Sequence, residues 1–219
     1  MAIIEESPLQ PLTADKIQLL DSGIIYRNPR PHLHSRHAYF PSLVRISEEE
    51  WGAGFDIGSA FEAVDVRSYF SRSVDQGRTW SAAAPLLEVP PDRQASTSCR
   101  LSRLSDGRLI GVGAFFDRSE PDAALANPET GGFVNTDLFF IESKDEGKSW
   151  SQPRIIKPPI AGPFEICSPI FETSDGEWLL PTSIWKDWEG NAPLGTQTIV
   201  LRSEDEGKTW DSWNPIMDG

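Results

Sequence analysis

Apolar and polar residues alternate in short stretches along most of the chain, and turn-forming residues separate these stretches. This pattern predicts half-buried β-strands, because successive side chains of a strand point to opposite faces of its sheet. Three groups of four strands are predicted. They lie at about 38–47, 51–57, 64–73 and 85–89; at about 97–105, 108–116, 136–143 and 153–157; and at about 165–174, 177–185 and 196–203, with a short strand after Trp210. A further strand is predicted over Ile17–Tyr26, in the N-terminal lead-in 1–37.

An octapeptide recurs three times, each time after the third strand of a group. It reads SVDQGRTW at 73–80, SKDEGKSW at 143–150 and SEDEGKTW at 203–210. Its Asp can accept hydrogen bonds from its own turn, and its Gly supplies a position with positive φ. The Ser or Thr hydroxyl adds a second local bond, and the Trp can fill the gap between neighbouring sheets. These structural roles are assigned to Asp75, Gly77, Trp80, Asp145, Gly147, Trp150, Asp205, Gly207 and Trp210.

A second repeated element is the Ser-Asp-Gly turn between the first two strands of the second and third groups, at 105–107 and 174–176. Four antiparallel strands in about 40–70 residues are typical of a β-propeller blade, which cannot bury both faces alone. We therefore predict an all-β fold, a single incomplete propeller domain with blades at about 38–89, 97–157 and 165–219. Closed propellers have about four to eight blades, so we expect a longer parent protein and self-association through open blade edges.

The octapeptides and the Ser-Asp-Gly turns resemble the Asp-box (BNR) repeats of the sialidase superfamily, over roughly residues 38–215. The resemblance implies a six-bladed propeller and a glycoside hydrolase of the exo-α-sialidase type. It also implies an arginine triad for the substrate carboxylate, a Tyr/Glu nucleophile pair, and an Asp acid/base on a first-blade loop. The Tyr/Glu pair and the remaining arginines would lie beyond Gly219.

The family motif Arg-Ile-Pro corresponds to Tyr39-Phe40-Pro41 here, so Tyr39 stands where the first triad arginine is expected. Arg36 is nearby but out of register, and Glu62 is the nearest match to the acid/base. Two functions stay open. One is a glycoside hydrolase that acts on an acidic or neutral sugar. The other is a non-catalytic propeller that binds carbohydrate or protein. The change at Tyr39 favours either this binding protein or a different substrate.

Loops between second and third strands, and between blades, should lie on the face opposite the octapeptide turns, where functional loops collect. The candidates there are Glu62 as catalytic residue and, for substrate binding, Arg36, His37, Tyr39, Asp56, Arg93 and Glu165. The alternative for each charged candidate is a solvated loop residue. The long stretch 117–135 suggests a mobile lid or a disordered insertion. Trp185 and Trp188 suit sugar stacking or packing between blades.

Composition narrows the set of partners. A formal net charge of −13 argues against nucleic acid and anionic membranes. The resemblance to the sialidase superfamily implies a carbohydrate ligand. No apolar run approaches the ~20 residues of a membrane span, and no signal peptide is visible. A cytoplasmic protein is therefore expected, or an extracellular or periplasmic one if the N-terminus is wrongly assigned. No cofactor is expected, nor a metal at His32, His34 and His37, since alternation turns His37 away. Cys99 and Cys167 are expected to be buried free thiols.

Overall fold

The computed structural model describes residues 21–216, and every regular element within them is a β-strand. The first sheet contains β1 (His37–Arg45), β2 (Trp51–Gly58), β3 (Arg67–Ser73) and β4 (Ala84–Pro85). The second contains β5 (Ala95–Arg103), β6 (Leu109–Asp117), β7 (Thr136–Ser143) and β8 (Arg154–Ile155). The third contains β9 (Phe164–Glu165), β10 (Phe171–Glu172), β11 (Trp178–Ile184), β12 (Gln197–Ser203) and β13 (Ser212–Pro215). All pairings are antiparallel, which confirms the all-β prediction.

Two strand predictions were wrong. The strand expected over 165–174 is divided into β9 and β10, which both pair with β11. Pro169 lies in the interruption, and a proline has no N–H to donate to a ladder. In the predicted strand Ile17–Tyr26, positions 17–20 lie outside the described residues. Positions 21–26 form no strand, and Ile25 and Tyr26 pack against the first sheet.

The three octapeptide turns share one hydrogen-bond network. In the second copy, the Ser143 hydroxyl donates to Asp145 Oδ1 over 2.8 Å, and the Gly147 N–H donates to Ser143 Oγ over 2.8 Å. The hydroxyl and N–H of Ser149 donate to the two oxygens of Asp145 over 2.6 and 2.8 Å. Such bonds favour the ionised carboxylate, so the pKa values of Asp75, Asp145 and Asp205 are all lowered to about 2.

Neighbouring sheets pack through their aromatic side chains. Phe70 of the first sheet meets Trp150 of the second octapeptide edge to face, with ring centroids 5.6 Å apart. Phe140 of the second sheet contacts Trp178 on β11 of the third sheet, with ring centroids 5.5 Å apart and the planes tilted by 38°. Trp150 of the second octapeptide thus contacts the neighbouring sheet through its ring. Cys99 is buried in the first of these interfaces, but Cys167 is exposed, contrary to expectation.

The loops sort onto two ends of the sheets. The octapeptide turns lie at the end where Trp51 pairs with Ser73, and the loops 59–66, 118–135 and 185–196 lie at the other. The loop 118–135 is folded, not a disordered insertion. Its Asn127 and Thr130 side chains donate to the Trp188 carbonyl over 3.0 and 2.8 Å. No helix within 21–216 has the length and apolar character to cross a membrane.

Candidate functional site

A cleft of about 300 Å³ lies at the loop end, between residues of all three sheets. We call it the inter-sheet cleft. It combines five aromatic rings with three carboxyl groups and two guanidinium groups. They belong to Phe40, Phe61, Phe116, Phe133 and Trp185, to Asp56, Glu62 and Glu165, and to Arg100 and Arg118.

Asp56 of β2 joins the first two sheets from a fully buried position, with no exposed surface. It accepts hydrogen bonds from the hydroxyls of Ser68 (2.7 Å) and Ser98 (2.6 Å), and Arg100 Nη1 lies 3.5 Å from its Oδ2. Burial raises the pKa of Asp56 to about 6, although the two hydroxyls and the guanidinium favour the charged form. The residue is therefore a buried acid that titrates within two units of neutrality.

Arg100 of β5 brings a guanidinium group to the cleft from the second sheet. Its Nη1 also donates to Ser98 Oγ (2.9 Å) and to the Cys99 carbonyl (3.1 Å). Its guanidinium carbon lies 4.9 Å from the centroid of the Phe40 ring. Every hydrogen bond that Arg100 donates to residues 21–216 uses Nη1. Its Nε–H and Nη2 groups remain as donors for a ligand.

Arg118, directly after β6, connects two loops to the second sheet from a buried position. Its Nε donates to Ser96 Oγ (3.2 Å), its Nη1 to the Ala123 carbonyl (3.3 Å), and its Nη2 to the backbone carbonyl of Glu62. Burial lowers the pKa of Arg118, and the nearby Glu62 charge opposes this. All three nitrogens are used within the protein, so Arg118 fixes the Glu62 loop and the 118–135 loop in place.

Glu62 and Glu165 both line the inter-sheet cleft. Glu62 is exposed in the loop between β2 and β3, and Glu165 is half-buried on β9. The Thr182 hydroxyl donates to the Glu165 backbone carbonyl over 2.7 Å. Within the described part of the chain, neither carboxylate accepts a hydrogen bond or pairs with a cation. Both are free to act on a ligand.

The remaining substrate-binding candidates, Arg36, His37, Tyr39 and Arg93, do not line the inter-sheet cleft. Tyr39 and His37 lie on β1, where Tyr39 contacts Phe61 edge to face at 5.4 Å and His37 Nε2 lies 2.9 Å from Ser35 Oγ. Arg36 lines a different groove, beside the lead-in segment 25–30. Arg93 lines a third groove, where it pairs with Asp137 at 2.5 Å. Neither arginine lies in the cleft with Glu62.

Sequence reasoning missed six of the aromatic and charged residues of the cleft. These are Phe40, Phe61, Phe116, Phe133, Arg100 and Arg118. No local signal marks Arg100, because β5 reads Ala-Ser-Thr-Ser-Cys-Arg-Leu-Ser-Arg, which is mostly polar, and its burial appears only in the structure. Arg118 lies in a stretch that reads as a polar loop, so nothing local distinguishes it.

No group of three or more His, Cys, Asp or Glu side chains within 21–216 is placed to hold an ion.

Among the comparisons with known proteins, only the comparison with solved structures finds matches. No family model and no curated protein matches this sequence. A Dyadobacter fermentans protein of unknown function matches with a TM-score of 0.64 and 22% identity, over 85% of this chain and 55% of that one. The Hadza microbial sialidase Hz136 matches with a TM-score of 0.63 and 18% identity, over 79% and 36%. The leech intramolecular trans-sialidase matches with a TM-score of 0.58 and 13% identity, over 93% and 48%.

The chain has a sialidase-like fold. At 13% to 22% identity, the likeness is one of fold and not of activity. The chain spans between about a third and about half of the length of these neighbours.

Proposed function

We propose that this chain is part of a sialidase-like glycoside hydrolase, of the exo-α-sialidase type or a related glycosidase. In this proposal the three sheets are successive blades of a propeller, the octapeptides are Asp boxes, and the inter-sheet cleft holds the sugar. The observation that carries it is the pair of unengaged carboxylates, Glu62 and Glu165, in one cleft with the free donors of Arg100. The sialidases among the structural neighbours support a glycan as the ligand.

Glu62 is the proposed acid/base. As an acid it gives its proton to the glycosidic oxygen while the bond from that oxygen to the sugar breaks. As a carboxylate it then takes a proton from the incoming water. Arg118 supports this role because it donates to the Glu62 backbone carbonyl and thus fixes the backbone position from which the Glu62 side chain extends. The Tyr/Glu nucleophile pair would come from further blades of the parent protein, so we expect this chain alone to be inactive.

One observation favours a second candidate, a propeller that binds carbohydrate or protein without hydrolysis. Tyr39 stands on β1 where the resemblance calls for an arginine, and it contacts Phe61 instead of a charged partner. In that case Glu62 and Glu165 serve as hydrogen-bond acceptors for the ligand.

Glu62→Gln tests the enzymatic proposal. The assay uses aryl and alkyl glycosides of sialic acid and of neutral sugars, with the 219-residue chain and with a longer form that carries the rest of the ring. In the longer form we expect Glu62→Gln to lower kcat/KM for alkyl glycosides by about 100-fold or more, the scale of general acid catalysis. Substrates with a 2,4-dinitrophenyl leaving group should be affected far less, because that group leaves without a proton.

The matched control is Glu129→Gln, an exposed carboxylate of the 118–135 loop that lies outside the cleft. It should leave both substrate classes unchanged. An equal loss of activity on both leaving groups in Glu62→Gln would remove Glu62 from the acid role. A folded longer form without activity on any glycoside would favour the binding protein.

A further inference from the structure

We infer that the sugar in this cleft is a neutral pyranose, stacked on an aromatic platform made by Phe40 and Phe61, and not a sugar that carries a carboxylate. The inference rests on the proposed function, since it takes the inter-sheet cleft as a glycan site. It names the class of sugar from the rings and charges of the cleft.

The platform is an exposed pair of rings at the side of the cleft. Phe40 is 41% exposed and Phe61 is 55% exposed, and their ring centroids are 5.3 Å apart with the ring planes at 54°, so a sugar that stacks on Phe61 meets Phe40 at an angle. Tyr39 contacts Phe61 edge to face at 5.4 Å with an interplanar angle of 90°. Solvent exposure of two apolar rings costs free energy, and a ligand that covers the rings removes that cost. The C–H face of a pyranose is a matching surface, and its hydroxyls can reach the polar groups beside the rings.

The backbone at Phe40 is strained in a way that points to a use for its ring. Phe40 has a φ of 50°, in the left-handed region that bulky side chains avoid. It lies in a bulge of β1, where Phe40 and Pro41 occupy the space opposite the single residue Phe55 of β2. A glycine would adopt this backbone without strain, so packing of the strand does not explain a phenylalanine there. Strain of this kind collects at functional sites.

The charges of the cleft disfavour an anion. The cleft contains three carboxyl groups and two guanidinium groups. Asp56 is paired with Arg100, and Arg118 donates only to uncharged oxygens. A sugar carboxylate could reach only the remaining donors of Arg100, whose charge Asp56 already offsets, and it would face the unpaired charges of Glu62 and Glu165. A neutral pyranose instead offers hydroxyl donors to these carboxylates and an acceptor to the free nitrogens of Arg100.

The test measures binding to the full 219-residue chain. The probes are the methyl β-glycosides of galactose, glucose and xylose and the methyl α-glycoside of N-acetylneuraminic acid. Calorimetry and saturation-transfer NMR measure the binding of each probe. At least one neutral glycoside should bind about tenfold or more tightly than the sialoside. Phe61→Ala should weaken that binding about fivefold, the scale of one aromatic contact, and Phe61→Tyr should restore it.

Phe171→Ala is the matched control, because Phe171 is 51% exposed on β10 and lies outside the cleft. It should bind as the unchanged chain does. Tighter binding of the sialoside would overturn the inference and still support the proposed glycosidase. Neutral binding that is insensitive to Phe61→Ala would overturn the platform. Neutral binding without hydrolysis in the longer form would support the inference and overturn the enzymatic function. A 219-residue chain that binds no probe would overturn the inference and leave the enzymatic function to be decided by the assay of the longer form.

Discussion

A single buried carboxyl group connects the cleft with the stability of the fold. Asp56 accepts hydrogen bonds from Ser68 on its own sheet and from Ser98 on the next one. Burial of this carboxylate costs free energy that an uncharged residue would not cost. The carboxylate pairs with Nη1 of Arg100, and this contact orients the remaining guanidinium donors.

The pH dependence of stability should reveal Asp56. Its pKa in the folded chain is about 6, against 3.8 without burial. Between about pH 4 and about pH 6 the folded state therefore binds more protons, so the free energy of unfolding falls as the pH rises, by about 3 kcal/mol in total. In Asp56→Asn this part of the pH dependence should disappear, as denaturant titrations from pH 4 to pH 7 would show.

The octapeptide aspartates serve as an internal reference for that experiment. Their pKa values are lowered to about 2, so they stabilise the fold above their unfolded pKa of 3.8 and lose this effect as the pH falls toward 2. This loss has the opposite sign and lies in a lower pH range. Parallel curves for the unchanged chain and Asp56→Asn between pH 4 and pH 6 would contradict the account of Asp56.

Among the elements, the octapeptide turns show how local bonding and contacts between sheets combine. Their hydrogen bonds join residues at most four positions apart, so the sequence alone predicts them. Gly147 adds a contact that is not local: a Cβ atom there would lie 2.8 Å from Cζ of Phe70 on the first sheet. The glycine is thus needed both for its turn and for the approach of the neighbouring sheet.

Gly147→Ala and Gly176→Ala separate these two requirements. Both glycines have positive φ, 83° and 85°, but a Cβ atom at Gly176 meets nothing within 4 Å. Each substitution should lower the free energy of unfolding by about 1–2 kcal/mol through backbone strain. Gly147→Ala should cost about 1–3 kcal/mol more, because the methyl group overpacks the interface. Equal losses in denaturant titrations would mean that the sheets do not meet at Gly147.

The first strand of the third sheet shows where local patterns fail. The apolar alternation over 165–174 predicts one strand, yet the structure has β9 and β10 with Pro169 between them. For the loop 118–135, the local pattern predicts too little order. Its composition suggests disorder, but side-chain bonds to the Trp188 carbonyl fold it onto the third sheet. These partners lie 58 and 61 positions away, beyond the reach of any local pattern.

For the whole molecule, the candidate site exists only because three sheets meet. Ion pairs join successive sheets beside the octapeptide turns, Arg72 to Glu146 and Arg108 to Glu206. At the loop end the same stacking brings Asp56, Arg100 and Glu165 together from three separate stretches of sequence. The sequence predicted the sheets and three of the cleft's carboxyl groups. It could not predict the guanidinium groups or the aromatic platform, because those depend on which sheet faces which.

The measurement that tests the central claim most directly is hydrogen–deuterium exchange of the 219-residue chain, with and without a saturating neutral methyl glycoside. If the inter-sheet cleft is the sugar site, exchange should slow in the loop 59–66, at the start of β5 and in the loop 118–135. The octapeptide turns at the opposite end should exchange as before. Slower exchange confined to those turns, or no change in the cleft segments at saturation, would contradict the account.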